Sequence, residues 1–228
     1  MNVEDKFIQI SALLCEPTRA RMLWNLLDGR AYTASELAAA SNISFTSASN
    51  HLSKLLEADL LKFEVQGRHR YYSFANTETA YVVEALATLA GNKKFSNESV
   101  NNILNGVRYC RTCYDHLAGF VGVTIVEALQ AKKYLEKKEH DYLVTKTGWK
   151  WLQQFNISEE EFKNNRRPLT RQCLDWSERR PHLAGHLAAV LLEKLLKRKW
   201  FKKVQFSREL IVTATGRQEA KEMLGINL

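Results

Sequence analysis

Residues 44–74 read SFTSASNHLSKLLEADLLKFEVQGRHRYYSF and combine a helical pattern with a hairpin pattern. Ser44 is a residue type that caps helix N-termini, and the helix that follows it is predicted to end near Glu57. Its apolar residues recur at helical spacing, which predicts one face buried against a core. These apolar positions are Ala48, Leu52, Leu55 and Leu56.

The opposite face of this helix carries small or polar side chains together with one cation. Such side chains suit the base edges and phosphates of a major groove, although an ordinary solvated face would also be polar. The candidate DNA-binding residues on this helix are Ser44, Thr46, Ser47, Asn50, His51 and Lys54. His51 has a second interpretation, because its ring could instead bond a backbone carbonyl within the domain.

A β-hairpin is predicted directly after the helix. Residues 60–66 alternate as a strand, residues 67–70 (GRHR) form a basic turn, and residues 70–74 (RYYSF) form a second strand. The hairpin resembles the wing of a DNA-binding domain. Arg68 and Arg70 are therefore candidates for contact with backbone phosphates or with the minor groove.

Further helices are predicted on both sides of this motif. A capping-box pattern predicts a short helix over 34–40, and Pro17 suits the first position of a helix that ends near Gly29. A last helix is predicted over 78–90, capped by Thr77. The order of helix, helix, turn, helix, basic hairpin and helix predicts a winged helix-turn-helix domain.

These motifs resemble the ArsR family of bacterial winged-helix regulators. The resemblance rests on EPTRARML, ELAAASNIS, SNHLSKLLEADLL and GRHRYYSF, which occur in register over about residues 5–92. It implies a homodimer, built largely from the first and last helices of the domain, that binds double-stranded operator DNA with dyad symmetry. It also implies that Ser47, Asn50, His51 and Lys54 lie on the DNA-reading helix.

The first ninety residues lack the metal-sensing patterns of many relatives of this type. The segment AYTASELA (residues 31–38) has no cysteine, and ETAYVVEALATLA (residues 78–90) has no histidine or aspartate. Cys15 is flanked by leucines, which favours a place in the core over a role as a metal ligand. Any effector is therefore expected to act on the second half of the chain.

The second half contains an internal duplication. HLAGFVGVTIVEAL begins at His116 and HLAGHLAAVLLEKL at His182, while DYLVTKTG from Asp141 resembles ELIVTATG from Glu209. Each copy is predicted to form a helix, a strand and a second helix. The predicted segments are 114–131, 141–145 and 148–156 in the first copy, and 182–199, 208–213 and 216–224 in the second.

These patterns predict a mainly α protein with small β-hairpins. A winged helix-turn-helix domain that binds DNA and dimerises is expected over 1–92, and a linker or connecting helix over 93–108. The two copies are expected to pack together as one C-terminal α+β sensor domain over 109–228. This domain resembles the C-terminal extension of a subgroup of ArsR-like regulators, on the basis of CYDHLAG and CLDWSERRPHLAG.

The duplication gives the motif CRTCYDHLAG (residues 110–119) a partner. Cys113 and His116 begin the first copy, and Cys173 and His182 begin the second. If a pseudo-twofold axis relates the copies, the four side chains converge as a Cys2His2 set that suits tetrahedral zinc. Cys113 and His116, at spacing i, i+3, are expected to share a helix face. The spare candidates are Cys110 and His186.

Three interpretations of this set stay open. The four residues bind a metal, or Cys113 and Cys173 form a redox pair, or the side chains simply pack in the core. Zinc is the one candidate cofactor.

The composition sets broad limits on the class of protein. The chain has 228 residues, a hydrophobic content of 45% and only four cysteines, too few for a secreted disulfide framework. No apolar run is long enough to span a membrane, and the first residues lack the apolar core of a signal peptide. A cytoplasmic location is expected. The net charge of +8 favours an anionic partner, although the cation excess lies in residues 95–228.

The expected function is sequence-specific DNA-binding regulation of transcription, by a repressor rather than an enzyme. Its C-terminal domain is expected to sense a metal, a redox state or a small molecule. Two alternatives stay open. One is a thiol oxidoreductase or a metal-dependent enzyme that uses the Cys/His set, and the other is a DNA-binding protein whose C-terminal domain is purely structural.

Overall fold

The computed structural model describes residues 2–90, 106–163, 165–205 and 207–228. The chain forms two compact units, Met1–Ala87 and Thr88–Leu228. Most of the connecting segment predicted over 93–108 lies outside the described residues. Within the described ranges, no helix is both long and apolar enough to cross a membrane.

The N-terminal unit is a winged helix-turn-helix with a three-stranded antiparallel sheet in the order β1-β3-β2. The prediction of this fold is confirmed. Its elements are α1 (Val3–Cys15), α2 (Pro17–Leu26), β1 (Tyr32–Thr33), α3 (Ala34–Ser41), α4 (Phe45–Glu57), β2 (Leu61–Gln66), β3 (His69–Phe74) and α5 (Thr77–Ala90).

Local capping produces the turn between α3 and α4. Thr33 and Glu36 form the predicted capping box at the start of α3, and Asn42 ends this helix in the left-handed conformation with φ 55°. Asparagine tolerates this conformation better than most residues. The Ser44 hydroxyl then accepts a hydrogen bond from the backbone amide of Ser47 at 3.2 Å, which begins α4. Both helix boundaries therefore follow from side chains that the sequence shows directly.

Helix α1 is an element that the sequence analysis did not predict. It ends at Cys15, and α2 begins at Pro17. The buried Arg19 side chain donates hydrogen bonds to the backbone oxygens of Leu13 at 2.7 Å and Ala12 at 3.1 Å. These bonds satisfy carbonyls that the end of α1 would otherwise leave unpaired. Cys15 itself is exposed, so the core position predicted for it is wrong.

The C-terminal unit is built from two copies of a hairpin, a helix, a second hairpin and a second helix. The first copy comprises β4 (Arg111–Cys113), β5 (His116–Ala118), α6 (Gly119–Ala131), β6 (Leu135–Lys137), β7 (Tyr142–Val144) and α7 (Lys146–Leu152), followed by 3₁₀ turns at Gln153–Phe155 and Glu159–Phe162. The second copy comprises β8 (Arg171–Leu174), β9 (Pro181–Ala184), α8 (His186–Lys197), β10 (Phe201–Lys203), β11 (Leu210–Val212) and α9 (Ala214–Leu224).

The helices predicted over 114–131 and 182–199 begin later than expected, at Gly119 and His186. The residues before each helix form a β-hairpin instead. Cys113 pairs with His116 across the first hairpin, with Tyr114 in the left-handed turn at φ 57°. The expectation that Cys113 and His116 lie three residues apart on one helix is therefore wrong.

The second hairpin of each copy shows the duplication in atomic detail. The Thr145 hydroxyl donates to the Lys133 carbonyl oxygen at 2.7 Å and accepts from the amide of Gly148 at 3.0 Å. The Thr213 hydroxyl donates to the Lys199 carbonyl oxygen at 2.6 Å and accepts from the amide of Gly216 at 2.9 Å. The repeated letters V-T-x-T-G in the sequence therefore correspond to the same hydrogen-bonded helix start.

A single apolar core lies between the two copies. Helix α6 of the first copy contacts β9 of the second, and α8 of the second copy contacts β5 of the first. The buried side chains of both copies form one continuous cluster, which includes Val121, Leu129, Leu187 and Leu195. Neither copy buries its helix alone, which confirms the expected packing of the two repeats into one α+β unit.

The carboxylate of Glu16 caps α2 and makes the stability of the N-terminal unit depend on pH. It accepts hydrogen bonds from the amides of Thr18 at 3.0 Å and Arg19 at 2.7 Å. Partial burial on its own would raise the pKa of Glu16, but these bonds outweigh it and lower the pKa to about 2. A depressed carboxyl pKa stabilises the fold above the unfolded value, and the stabilisation is lost as the pH falls through the folded value.

We expect Glu16→Gln to lower the free energy of unfolding by about 1 kcal/mol at pH 7, since the side chain is partly solvated. The difference from the parent protein should shrink between the usual glutamate pKa and pH 2, because protonation removes the charge in the parent too. Thermal unfolding followed by circular dichroism across this range measures the difference. A gap that stays constant with pH would show that the Glu16 charge does not contribute.

Gly148 and Gly216 have no room for a side chain. A Cβ atom on Gly148 would lie 2.1 Å from the Tyr134 carbonyl oxygen, and one on Gly216 would lie 2.3 Å from that of Trp200. We expect alanine at either position to destabilise the C-terminal unit by about 3 kcal/mol or more, because backbone must move. The control is Gly225→Ala, where a Cβ atom meets nothing within 4 Å and only backbone strain of about 1 kcal/mol is expected. Urea unfolding compares the three variants, and equal losses would contradict this account.

Candidate nucleic-acid interface and metal centre

Helix α4 is divided into a buried face and an exposed polar face. Ala48, Leu52 and Leu55 are buried, as predicted, while Leu56 is half-buried. On the opposite side, Thr46, Asn50 and Lys54 are exposed, and Ser47 is half-buried. Ser44 is exposed, but its hydroxyl is used as the cap of the helix. The surface available for base contacts therefore centres on Thr46, Asn50 and Lys54.

His51 lies at the edge of this surface and faces α2. Its Nδ1 atom is 3.5 Å from the Glu16 carboxylate and 3.5 Å from the guanidinium of Arg19. These contacts hold the ring against the start of α2. Its partner inside the domain is thus a side-chain pair rather than the predicted backbone carbonyl.

The β2–β3 hairpin carries the two predicted basic residues at its tip. Arg68 and Arg70 are both exposed, and the chain turns at Gly67, which has φ 59°. The Arg68 guanidinium donates to Nε2 of His69 at 3.3 Å, and that of Arg70 lies 4.7 Å from the ring centre of Phe63. Stacking on a ring limits the motion of a guanidinium without using its hydrogen-bond donors.

Sequence reasoning missed Phe45 as part of this surface. It is the first residue of α4, and 58% of its surface is exposed although it is large and apolar. It directly precedes the exposed Thr46 in the first turn of the helix. The sequence did contain a signal for this, because a phenylalanine directly follows the Ser44 cap and lies outside the buried apolar positions of the helix.

The four predicted Cys and His residues meet in the C-terminal unit. The Sγ atoms of Cys113 and Cys173 are 3.8 Å apart, and the Nε2 atoms of His116 and His182 are 3.2 Å apart. One donor atom from each residue lies within 4.8 Å of every other. Cys113, His116 and His182 are buried, and Cys173 is half-buried.

The two equivalent hairpins produce this convergence. Cys113 pairs with His116 across β4–β5, and Cys173 pairs with His182 across β8–β9. Residues paired in this way on antiparallel strands project from the same face of the hairpin. Strand β5 contacts β9, so the two pairs face each other. The six-residue loop 175–180, absent from the first hairpin, explains the unequal Cys-to-His spacing in the sequence.

Each imidazole has a carboxylate behind it, and each carboxylate pairs with an arginine that is distant in sequence. His116 Nδ1 lies 3.2 Å from Asp115, which pairs at 2.6 Å with Arg167, in the segment just before β8. His182 Nδ1 lies 3.2 Å from Asp175, which pairs with Arg111 of the first copy at 2.9 Å. Sequence reasoning did not predict either ion pair.

The local charges give these groups unusual pKa values. Burial on its own would raise the pKa of Asp175, but contacts with His182 and Arg111 outweigh it and hold the pKa well below its usual range. His116 and Arg167 likewise lower the pKa of Asp115 against the effect of burial. Both carboxyl groups are therefore ionised at neutral pH.

The spare candidates lie outside the cluster. Cys110 is fully buried, and burial raises the pKa of its thiol far above the usual range, so it is a neutral core residue. His186 begins α8 and its ring packs edge-on against Phe162, with ring centres 4.9 Å apart. Cys110 directly precedes β4 and Cys113 is the last residue of β4, so this cysteine pair does not lie at the start of a helix.

Residues 14–62 match a family described as "Helix-turn-helix domain". YdfF of Bacillus subtilis (strain 168), an uncharacterized HTH-type transcriptional regulator, is 39% identical over 220 residues, which cover 96% of this chain and 97% of YdfF.

Solved structures similar to part of the chain include Mb0332 of Mycobacterium bovis, described as a possible ArsR-family transcriptional regulator. It is 20% identical, with 42% of this chain and 91% of that chain covered and a TM-score of 0.39. The transcriptional repressor PagR of Bacillus anthracis is 21% identical, with 36% and 93% covered and a TM-score of 0.33.

The winged helix-turn-helix is present in the structure, and the likeness to YdfF extends through the duplicated C-terminal unit as well. Identity of this level over nearly the full length of both chains shows common ancestry of the whole architecture, and this protein belongs to the family of HTH-type transcriptional regulators that includes YdfF.

Proposed function

We propose that this protein is a homodimeric repressor that binds dyad-symmetric operator DNA. The observation that carries the proposal is the exposed polar face of α4, with Asn50 and Lys54 at its centre, followed by the basic tip of the β2–β3 hairpin. A helix of this kind fits the major groove, and a basic hairpin fits phosphates or the adjacent minor groove. A dimer bound over a promoter excludes polymerase, which is the basis of the proposed repression.

Two exposed apolar stripes, one on α1 and one on α5, support the homodimer. Phe7 on α1 is 69% exposed and Leu89 on α5 is 65% exposed. Both helices carry further exposed apolar side chains at helical spacing, and such contiguous patches are typical of protein–protein contacts. The exposed apolar residues are Val3, Phe7 and Ile8 on α1, and Val82, Leu86 and Leu89 on α5. A twofold dimer through these helices would present two copies of α4 to the two halves of an operator.

The proposed role of the C-terminal unit is to sense an effector. It is a separate compact unit, and its buried Cys/His cluster would change with metal occupancy or with oxidation of the thiols. A change at the cluster would alter operator affinity through a coupling free energy between the Cys/His cluster and the DNA-binding surface. A purely structural C-terminal unit is the alternative, and it predicts the same operator affinity whatever the state of the cluster.

Selection of full-length protein against random duplexes should enrich an inverted repeat whose half-sites are centred about 10 base pairs, or a multiple of that, apart. Asn50→Ala should then weaken binding to the selected duplex by about 1–3 kcal/mol and relax its sequence preference, because a base contact is lost. Gel shifts or fluorescence anisotropy measure both effects. The control is Lys6→Ala, which removes an exposed cation from α1. Unchanged binding by Asn50→Ala would refute α4 as the reading helix.

Arg68→Ala and Lys54→Ala should act differently from Asn50→Ala. If these cations contact phosphates, each substitution weakens binding to all duplexes about equally and lowers the salt slope of log K by about 1. Affinity measured over a series of salt concentrations separates this effect from a loss of base recognition. A salt slope equal to that of the parent protein would remove the residue concerned from the interface.

Leu86→Glu should convert the dimer to monomers, because it places a charge in the centre of the apolar stripe on α5. Light scattering of the full-length protein measures the mass in solution. Val65→Glu is the matched control, since Val65 is an exposed apolar residue on the hairpin and should not affect the mass. A dimer that persists in Leu86→Glu would place the interface elsewhere.

A further inference from the structure

We propose that Cys113, His116, Cys173 and His182 bind one Zn²⁺ ion that joins the two copies of the C-terminal unit. The proposal concerns the C-terminal unit alone and does not depend on the DNA-binding role. It assigns a ligand, Zn²⁺, and a structural role to the Cys/His cluster. Its support comes from distances, from the orientation of the two imidazoles and from the balance of charge.

Two of the distances in the cluster match two edges of a tetrahedron around zinc, and all four donor atoms lie within 4.8 Å of one another. With Zn–S bonds of about 2.3 Å and Zn–N bonds of about 2.0–2.1 Å, tetrahedral geometry places the two sulfurs about 3.8 Å apart and the two nitrogens about 3.3 Å apart. The observed separations are 3.8 Å between Cys113 and Cys173 and 3.2 Å between His116 and His182. A disulfide would instead need the sulfurs about 2.05 Å apart.

The two imidazoles are oriented with their Nε2 atoms toward the centre of the cluster. His116 Nδ1 is hydrogen-bonded to Asp115 at 3.2 Å, and His182 Nδ1 lies 3.2 Å from the Asp175 carboxylate. With each Nδ1 atom directed at a carboxylate, the two Nε2 atoms face each other at 3.2 Å. A zinc ion between the rings would take a lone pair from each Nε2 atom.

The same contacts form the outer shell that zinc sites use. A carboxylate that accepts the Nδ1 proton of a ligating histidine fixes the ring orientation and makes Nε2 a better ligand. Here Asp115 is hydrogen-bonded to His116, Asp175 lies 3.2 Å from His182 Nδ1, and Arg167 and Arg111 pair with these carboxylates in turn. Since Arg111 belongs to the first copy and Asp175 to the second, the outer shell also crosses the boundary between the copies.

A divalent ion balances the charge of the buried cluster. The pairs Asp115–Arg167 and Asp175–Arg111 each carry no net charge. Metal binding by cysteine requires thiolates, so the ligands Cys113 and Cys173 contribute two negative charges that one Zn²⁺ ion neutralises. Tetrahedral S2N2 geometry is typical of zinc among the common divalent metals.

Four protein ligands indicate a closed site rather than a catalytic one. Catalytic zinc keeps a position open for water or substrate, whereas structural zinc takes all four ligands from the protein. Three of the ligands here are buried, and the half-buried Cys173 marks the side from which an ion enters. The ion would fasten hairpin β4–β5 to hairpin β8–β9 and so link the two copies at the point where their strands meet.

Metal content of the full-length protein tests the proposal directly. Protein purified from zinc-supplemented cells without chelator should contain one zinc ion per chain by elemental analysis. Cobalt added after zinc removal should give the visible absorption of a tetrahedral site and the ultraviolet bands of cobalt–thiolate bonds. Zinc content near zero together with a cobalt spectrum that lacks thiolate bands would overturn the proposal. A loss of free thiols without bound metal would also overturn it, in favour of a disulfide.

Variants assign the ligands. Cys113→Ala and His182→Ala should each lose the thiolate bands or the bound zinc, while Cys110→Ala and His186→Ala should keep both, because they lie outside the cluster. Asp115→Asn should keep the ligands but bind zinc roughly 10–100-fold more weakly in competition with a chromogenic chelator. Because asparagine has the same shape as aspartate and position 115 is partly exposed, this variant should fold. It therefore still tests the site if the ligand variants misfold. Full zinc affinity in both Cys113→Ala and Asp115→Asn would refute the site.

Discussion

The C-terminal unit depends on the burial of one apolar helix from each copy against the other copy. Helix α6 packs on β9 and α8 packs on β5, and their side chains share one core. Because this exchange brings β5 beside β9, it also brings together the residues that each hairpin carries near its turn. The hydrophobic core therefore positions the Cys/His cluster, and a bound ion would reinforce an arrangement that burial already favours.

The exchange between copies extends to the charged residues. Arg111 of the first copy pairs with Asp175 of the second, and Arg167, from the segment just before the second copy, pairs with Asp115 of the first. Buried ion pairs contribute little net stability once desolvation is counted. Their value here is orientation, since the carboxylates hold both imidazoles with Nε2 directed at the same point. A metal site of this kind requires both copies and cannot form in either alone.

In the N-terminal unit, interactions between residues close in sequence determine which face of α4 is exposed. Helix α4 buries Ala48, Leu52 and Leu55, which leaves Asn50 and Lys54 exposed on the opposite side. The caps at Ser44 and Thr33 set where the helices begin, and the hairpin follows without a long connection. The contact between His51 and Glu16 joins α4 to the start of α2. The proposed recognition surface therefore lies on a helix that is packed against the rest of the domain.

The sequence by itself determined the winged helix-turn-helix, because caps, helical periodicity and a short hairpin are local signals that the letters of residues 17–90 contain. It also determined which four Cys and His residues have counterparts, because the duplication aligns Cys113 and His116 with Cys173 and His182. Only the tertiary structure decided how they meet. Cys113 and His116 are three residues apart, and this spacing fits either one turn of a helix or a tight β-hairpin. A strand of three residues is too short for an alternating pattern to show which of the two forms. Arg167 lies 52 residues from Asp115, so only the packing of one copy against the other reveals that pair.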